Sequence, residues 1–252
     1  MTIAELPVVR DVPSVTAEQM AEVDRLAAAD FATGVDLLME NASRQVAAAA
    51  RHRLGGRVAG KRVVGLVGPG NNGGDTAGAL RHLANWGANV LAIVATEQAR
   101  LGSATRVQLG RLLTSTTWPA AGVKDATGMP SVEIPQADLV LDGLLGFSAK
   151  GAPRDMIGTL VGVANRSGTP ILAVDIPSGL DASTGATPWE TIRAVATVTL
   201  ALPKAGLLVP GARQFVGDLL LADIGVPHAA FAKLGIDTTR LFVDGDLVRV
   251  VT

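Results

Sequence analysis

The sequence predicts an α/β protein with a mostly parallel sheet, and three observations predict it. Short apolar runs alternate with segments of helical periodicity along the chain. The runs are apolar at consecutive positions, as strands covered on both faces are. Two of them end in a carboxylate followed by a glycine-containing loop, which places chemistry outside the carboxyl ends of strands, where open α/β sheets bind ligands.

The elements follow in order. Thr16-Ala-Glu-Gln19 has capping-box spacing, and Met20, Val23, Ala27 and Phe31 recur at helical intervals, so residues 17–31 are expected to form a helix. A second helix is expected from near Asp36 through Leu38, Met39, Ala42, Val46 and Ala49 to the stop signal Gly55-Gly56. Together they form an N-terminal attachment. Val63 to Val67 reads as a buried strand, 68–75 as a glycine-rich loop, 76–86 as a helix and 89–95 as the next strand. Downstream, helices are predicted over 103–114 and 154–166, and strands over 138–142, 170–174, 195–202 and 218–222. There is no internal repeat. The 29 Gly and 13 Pro fall at element ends rather than in one linker, so a single domain over 1–252 is expected.

Composition narrows the function. The chain has 22 Lys+Arg against 23 Asp+Glu, with 48% hydrophobic and 18% charged residues, which excludes a long disordered segment. The absence of Cys excludes disulfides, thiolate zinc sites, iron–sulfur clusters and cysteine nucleophiles. Without a basic cluster, and with only three Trp and five Phe, the chain has little basis for binding nucleic acid. No uncharged stretch approaches the roughly 20 residues of a membrane span. Residues 1–15 carry Glu5 and Asp11 and do not read as a secretory signal, so a cytoplasmic protein with a small-molecule ligand is expected.

Four loops could carry chemistry. Gly68-Pro-Gly-Asn71-Asn72-Gly73-Gly74-Asp75 satisfies the dinucleotide-binding glycine pattern, yet Asp75 would set a carboxylate where a pyrophosphate should sit. Either the glycines give close backbone approach while Asn71, Asn72 and Asp75 bind hydroxyls, or the segment is a tight turn capped by Asp75. Asp142 ends an apolar strand before Gly146-Phe147-Ser148-Ala149-Lys150-Gly151, and either coordinates a cation or caps the next turn. Lys150 and Ser148 either enclose a polar ligand or are solvated. Asp175 ends a further apolar strand, a setting that can raise a carboxyl pKa and favour general acid–base work, and Ser178 can offer its hydroxyl to a metal or substrate. Ser178 lacks the nucleophile-elbow pattern of a hydrolase, and His52, His82 and His228 read as structural or exposed. Lys204 either neutralises a phosphate at the cleft rim or is a surface lysine. Glu40 and Asn41 either border the polar cleft or form a solvated helix face; Trp86, Trp118 and Trp189 read as structural.

Taken together, Gly68 to Asp75, Asp142 to Gly151, Val174 to Ala182 and Pro203-Lys-Ala-Gly-Leu207 resemble the NAD(P)H-hydrate epimerases, the YjeF N-terminal domain family. Leu38-Met-Glu-Asn-Ala42, Gly217-Asp218 and Asp223 to Pro227 extend the resemblance over nearly the whole chain. It implies a Rossmann-like three-layer α/β/α sandwich, often homodimeric. It implies an isomerase that interconverts the R and S epimers at C6 of NADHX and NADPHX. By the same resemblance Asn71, Asn72, Gly73, Gly74 and Asp75 form one substrate-binding loop, and Gly146, Phe147, Ser148, Ala149, Lys150, Gly151 and Ala152 form another. Asp175 contacts substrate and is the catalyst; Asn72, Asp142 and Ser178 hold one potassium ion per subunit. Oxygen ligands of this kind suit a hard cation. The pathway partner would be a separate ATP- or ADP-dependent dehydratase. Thr76 and Ser43 depart from the family, which usually has Gly at both positions. The competing readings are a non-catalytic scaffold of the same fold and an NAD-dependent dehydrogenase with Glu97 on a ribose.

Overall fold

The computed structural model describes residues 2–115, 121–127 and 132–251. The elements are β1 (Val8–Val9), α1 (Ala17–Phe31), α2 (Val35–Arg53), β2 (Arg62–Val67), α3 (Asn71–Asn85), β3 (Asn89–Val94), α4 (Ser103–Ser115), β4 (Ala121–Asp125), β5 (Leu139–Gly143), α5 (Asp155–Arg166), β6 (Ile171–Val174), β7 (Ala196–Leu200), α6 (Arg213–Val216), β8 (Asp218–Ala222), α7 (His228–Ala232) and β9 (Leu247–Val250). Among the described residues nine strands form one sheet in the order β1-β9-β8-β7-β6-β5-β2-β3-β4. Neighbours run parallel except at β8–β9, which is antiparallel. The expected α/β fold is borne out.

Alternate residues of each strand go to opposite faces, and the core divides accordingly. Val63, Val67, Leu139, Leu141 and Val174 pack with α1, α2 and α3, whereas Val64, Leu66, Val140 and Ala173 pack with Leu160, Val161 and Ala164 of α5. The result is the three-layer sandwich. From β2 the strand order runs one way through β3 and β4 and the other way through β5, β6 and β7, so the switch point lies between β2 and β5.

The elements expected from periodicity are present with ends shifted by a few residues. The largest shift is at α3, which begins at Asn71 instead of 76, so Asn71 to Asp75 are helical rather than loop. Two glycines make this possible. A Cβ on Gly68 would lie 1.8 Å from the Leu144 carbonyl oxygen, and one on Gly73 would lie 2.1 Å from the Gly68 carbonyl oxygen. The first turn of the helix therefore presses directly onto the ends of β2 and β5. Strands β1, β4 and β9 are not foreshadowed by apolar runs: β1 has two residues, β4 reads Ala-Gly-Val-Lys-Asp and β9 is interrupted by Arg249.

The two departures from the family pattern are accommodated locally. Thr76 is fully buried and donates its hydroxyl to the Asn72 carbonyl at 2.9 Å, against Gly143. Ser43 on α2 is fully buried opposite Gly78 of α3, where a Cβ would stand 2.1 Å from its Oγ. Trp86 packs under the Arg51 guanidinium, 4.6 Å from the ring centroid. Trp189 is 45% exposed, against the expected packing role, and Trp118 lies outside the described residues.

Candidate functional site

Asp142 is fully buried at the carboxyl end of β5. Its Oδ1 accepts the Ser178 hydroxyl at 2.7 Å and the Leu144 N–H at 3.3 Å, and its Oδ2 accepts the Ser178 N–H at 2.8 Å. Burial nevertheless pushes its carboxyl up to about 6, with the bonds from Ser178 and Leu144 opposing. The Ser178 Oγ also accepts the Leu145 N–H at 3.0 Å. Asn72 donates its amide to the Leu145 carbonyl at 2.8 Å and the Val174 carbonyl at 2.9 Å, tying α3 to the loops after β5 and β6. Its Oδ1 is buried with no hydrogen-bond partner. The three residues expected together are thus joined through shared bonds and the loop from Leu144 to Leu145.

Asp175 follows β6 with φ 64°, a left-handed conformation uncommon for a residue with a side chain. The Ile176 N–H donates to the Val174 carbonyl at 2.8 Å around it, closing a tight three-residue turn. Strand β7 ends in the same way at Ala201, φ 65°, with Leu202 N–H on the Leu200 carbonyl at 2.8 Å. Asp175 Oδ1 is ion-paired with Lys204 Nζ and accepts the Leu200 N–H at 3.2 Å. Lys204 also donates to the Leu200 carbonyl at 2.9 Å and lies 5.5 Å from the Phe147 ring centroid.

Neither expected position for Lys204 is found. It is 1% exposed, because Asp175 supplies its counter-charge and the segment before α1 closes over it. Val15 donates to the Pro203 carbonyl at 3.0 Å and accepts from the Ala205 N–H at 2.8 Å. Expectation placed a carboxyl alone at an apolar strand end; the structure pairs it with a lysine.

A cavity of about 500 Å³ opens at these strand ends, at the switch point in strand order. Asn71, Asn72, Asp75, Asp175, Lys204 and residues 144–149 reach it. Gly73 and Gly74 contact Gly68 and Met39 instead, while Lys150 and Gly151 are exposed and Ala152 is partly buried, all outside the cavity wall. Asp75 sits beyond the first helical turn and caps nothing. Burial drives its carboxyl well above the ordinary range; the nearby Asp175 and Asp24 push the same way and Lys204 opposes them.

The same wall contains residues that sequence reasoning missed. Met20, Asp24 and Ala28 reach the cavity from α1, and Leu38, Met39 and Ala42 from α2. Asp24 lies on the flank of the apolar stripe that identified α1, and its four-residue spacing from Met20 was the available signal. Glu40 and Asn41 face elsewhere: Glu40 binds Arg81 at 2.6 Å and His82 at 3.0 Å, and Asn41 donates to the Ile224 carbonyl at 2.9 Å. None of the three histidines reaches the cavity; His228 bonds Thr238 at 2.6 Å in the wall of a separate pocket. Among the described residues no group of three or more His, Cys, Asp or Glu is arranged to hold a metal, and no helix is long and apolar enough to cross a membrane.

The family model described as YjeF-related protein N-terminus matches residues 35–206, which span the strand ends, α3 and Lys204. The chain belongs to this family. An NAD(P)H-hydrate epimerase of Dehalogenimonas lykanthroporepellens is 38% identical over 94% of this chain and 92% of its own length. A bifunctional NAD(P)H-hydrate repair enzyme of Moorella thermoacetica is 34% identical over 86% of this chain, which spans 41% of that relative. The crystal structure of yeast ynu0 shares the fold with a TM-score of 0.77 at 23% identity, covering 94% of this chain and all of that one. In this YjeF-related domain helix α1, which carries Asp24, and strand β1 lie before the matched segment.

Proposed function

We propose that this chain is an NAD(P)H-hydrate epimerase, a single domain over 1–252 that interconverts the R and S forms at C6 of NADHX or NADPHX. The observation that carries the reading is the buried Asp175–Lys204 pair in the wall of a strand-edge cavity, in a chain similar to a named epimerase over nearly all of both lengths. C6 of the hydrate carries a hydroxyl and the ring nitrogen, so it is a hemiaminal. Its inversion needs protons moved to and from oxygen, and needs no hydride acceptor. The coenzyme is therefore substrate.

Asp175 is the proposed catalyst. Lys204 and the Leu200 N–H hold its Oδ1, no bond among the described residues falls on Oδ2, and that oxygen is left to exchange a proton with the substrate. Asn71, Asn72, Asp75 and the 146–149 loop supply amide, carboxyl and main-chain contacts to the substrate's hydroxyl and phosphate groups. Gly73 and Gly74 serve by close packing beneath it, and Lys150, Gly151 and Ala152 by continuing the loop at its rim.

The residues also fit a potassium ion. Asn72 has a buried oxygen without a partner, Asp142 is a buried carboxyl with no cation among its bonds, and the Ser178 hydroxyl donates to Asp142. Asn72, Asp142 and Ser178 would hold the ion, whose positive charge and oxygen coordination would fix the loops after β5 and β6. The donor set contains no nitrogen or sulfur, which fits a hard cation.

The deciding experiment is chiral chromatography of NADHX epimers with the wild type and Asp175→Asn at low and high potassium. Wild type accelerates interconversion and Asp175→Asn loses about 100-fold or more. A wild type that binds NADHX yet leaves the spontaneous rate unchanged returns the scaffold reading and ends the catalytic one. Consumption of NADH with a carbonyl substrate would instead identify a dehydrogenase.

A further inference from the structure

Helix α1 turns Met20, Asp24 and Ala28, four residues apart and so on one side, toward the cavity. Two are apolar, as packing requires. Asp24 is not. It is half-buried, and no hydrogen bond or ion pair reaches its carboxyl from the described residues. Drawing a carboxyl out of water without a partner destabilises the fold, so a residue whose only task were to pack α1 would be apolar here. Its charged and titratable neighbours at the cavity are Lys204 and Asp175 at the strand ends and Asp75 on α3.

Inverting one carbon by loss and return of water takes two proton transfers. One proton goes to the departing hydroxyl, and another leaves the water that returns on the opposite face of the ring. Asp175 stands at the strand edge, fixed through one oxygen by Lys204 and Leu200. We infer that Asp24 is the second proton-transferring group of the cavity, serving the hydroxyl-bearing carbon from the α1 wall while Asp175 serves it from the strand edge. This rests on the epimerase reading.

The step balances without a co-reactant. Protonated Asp24 gives its proton to the hydroxyl, the C6–O bond breaks, water leaves and the ring nitrogen lone pair forms the C=N bond of an iminium ion. Water then adds to the other face, the C=N pair returns to nitrogen, and the released proton passes to Asp175. The opposite inversion exchanges the roles, and solvent resets both carboxyls. Burial pushes Asp24 up to about 6, Lys204 opposing and Asp175 adding, which keeps a protonated fraction available near neutral pH.

The test is the pH profile of NADHX epimerisation for wild type, Asp24→Asn and Asp24→Glu, with the melting temperature of each. Asp24→Asn is expected to fold, to lose about 100-fold in kcat with KM changed by less than about threefold, and to lack the limb near pH 6 that wild type shows. Asp24→Glu keeps the limb at a reduced rate. An Asp24→Asn protein with wild-type kcat, or one weakened in KM alone, overturns the inference and leaves the epimerase reading standing. Inactive wild type instead ends the epimerase reading itself. If Asp24→Asn fails to fold, Asp24→Glu decides, since a lost limb there overturns the proposal.

Discussion

At Asp175 and Lys204 two charges lie almost wholly out of water, so neither can be removed cheaply. Lys204→Met leaves Asp175 buried without its cation, a change of the kind that costs about 3–5 kcal/mol. Denaturant unfolding should show that loss, and epimerisation should fall with it. Asp75 behaves in the opposite sense. Its folded-state pKa is raised, so above the usual carboxylate range the folded chain holds more protons than the unfolded one. Stability contributed by Asp75 is therefore greatest in acid and declines as pH rises through that window. Asp75→Asn should raise the melting temperature at pH 8 relative to wild type, with little gain at pH 4, while weakening NADHX binding. A flat difference between the two pH values would show that Asp75 is not buried as described. Lys204 also marks a boundary of sequence reading: a lysine after a strand reads as surface until the partner carboxylate, 29 residues earlier, is known to share its burial. Asp142, Asn72 and Ser178 were each legible as polar residues at glycine-flanked strand ends, but only the family resemblance grouped them.

At the scale of elements, α2 and α3 fit each other through the Ser43–Gly78 contact. A Gly78→Ala methyl would collide with Ser43 Oγ, an overpacking that costs about 1–3 kcal/mol. In a Ser43→Gly background the cost should shrink, and a double-mutant cycle should give a coupling of about 0.5 kcal/mol or more. Additive effects would mean that the helices do not meet there. The same packing explains what periodicity could not place. The start of α3 carries Asn-Asn-Gly-Gly, poor helix formers that read as a turn, and tertiary contact with Gly68 and Leu144 overrides that preference. Strands β2, β5 and β6 were legible because burial on both faces makes them continuously apolar. Strands β1 and β9 were not, since each lies at or near a sheet edge and keeps a partly exposed residue.

For the whole molecule, the proposed cation couples binding to folding. An ion bound only by the folded chain adds about 2.7 kcal/mol when present at about a hundred times its Kd. Potassium should therefore raise the melting temperature of wild type more than lithium at equal ionic strength, and Asn72→Ala should abolish the difference. Equal responses to the two salts in wild type would remove potassium from the site. The sheet order itself could not be read from the chain, because alternation of strands and helices leaves the point of reversal open. Its position between β2 and β5 is what brings Asn72, Asp175 and Lys204 to one cavity wall, with Asp142 buried at the end of β5 behind it.

Val15 is clasped on both sides of Lys204 by main-chain bonds, and the N–H of Ala17, the first residue of α1, donates to the Ser183 hydroxyl at 3.1 Å. The stretch leading into α1 thus acts as a mechanical tether for two things at once, the counter-charge of Asp175 and the helix that presents Asp24. Anything that tugs this stretch loose, whether a protease cut or a poorly chosen tag, would disarm both walls of the cavity in a single event while leaving the strands behind them intact.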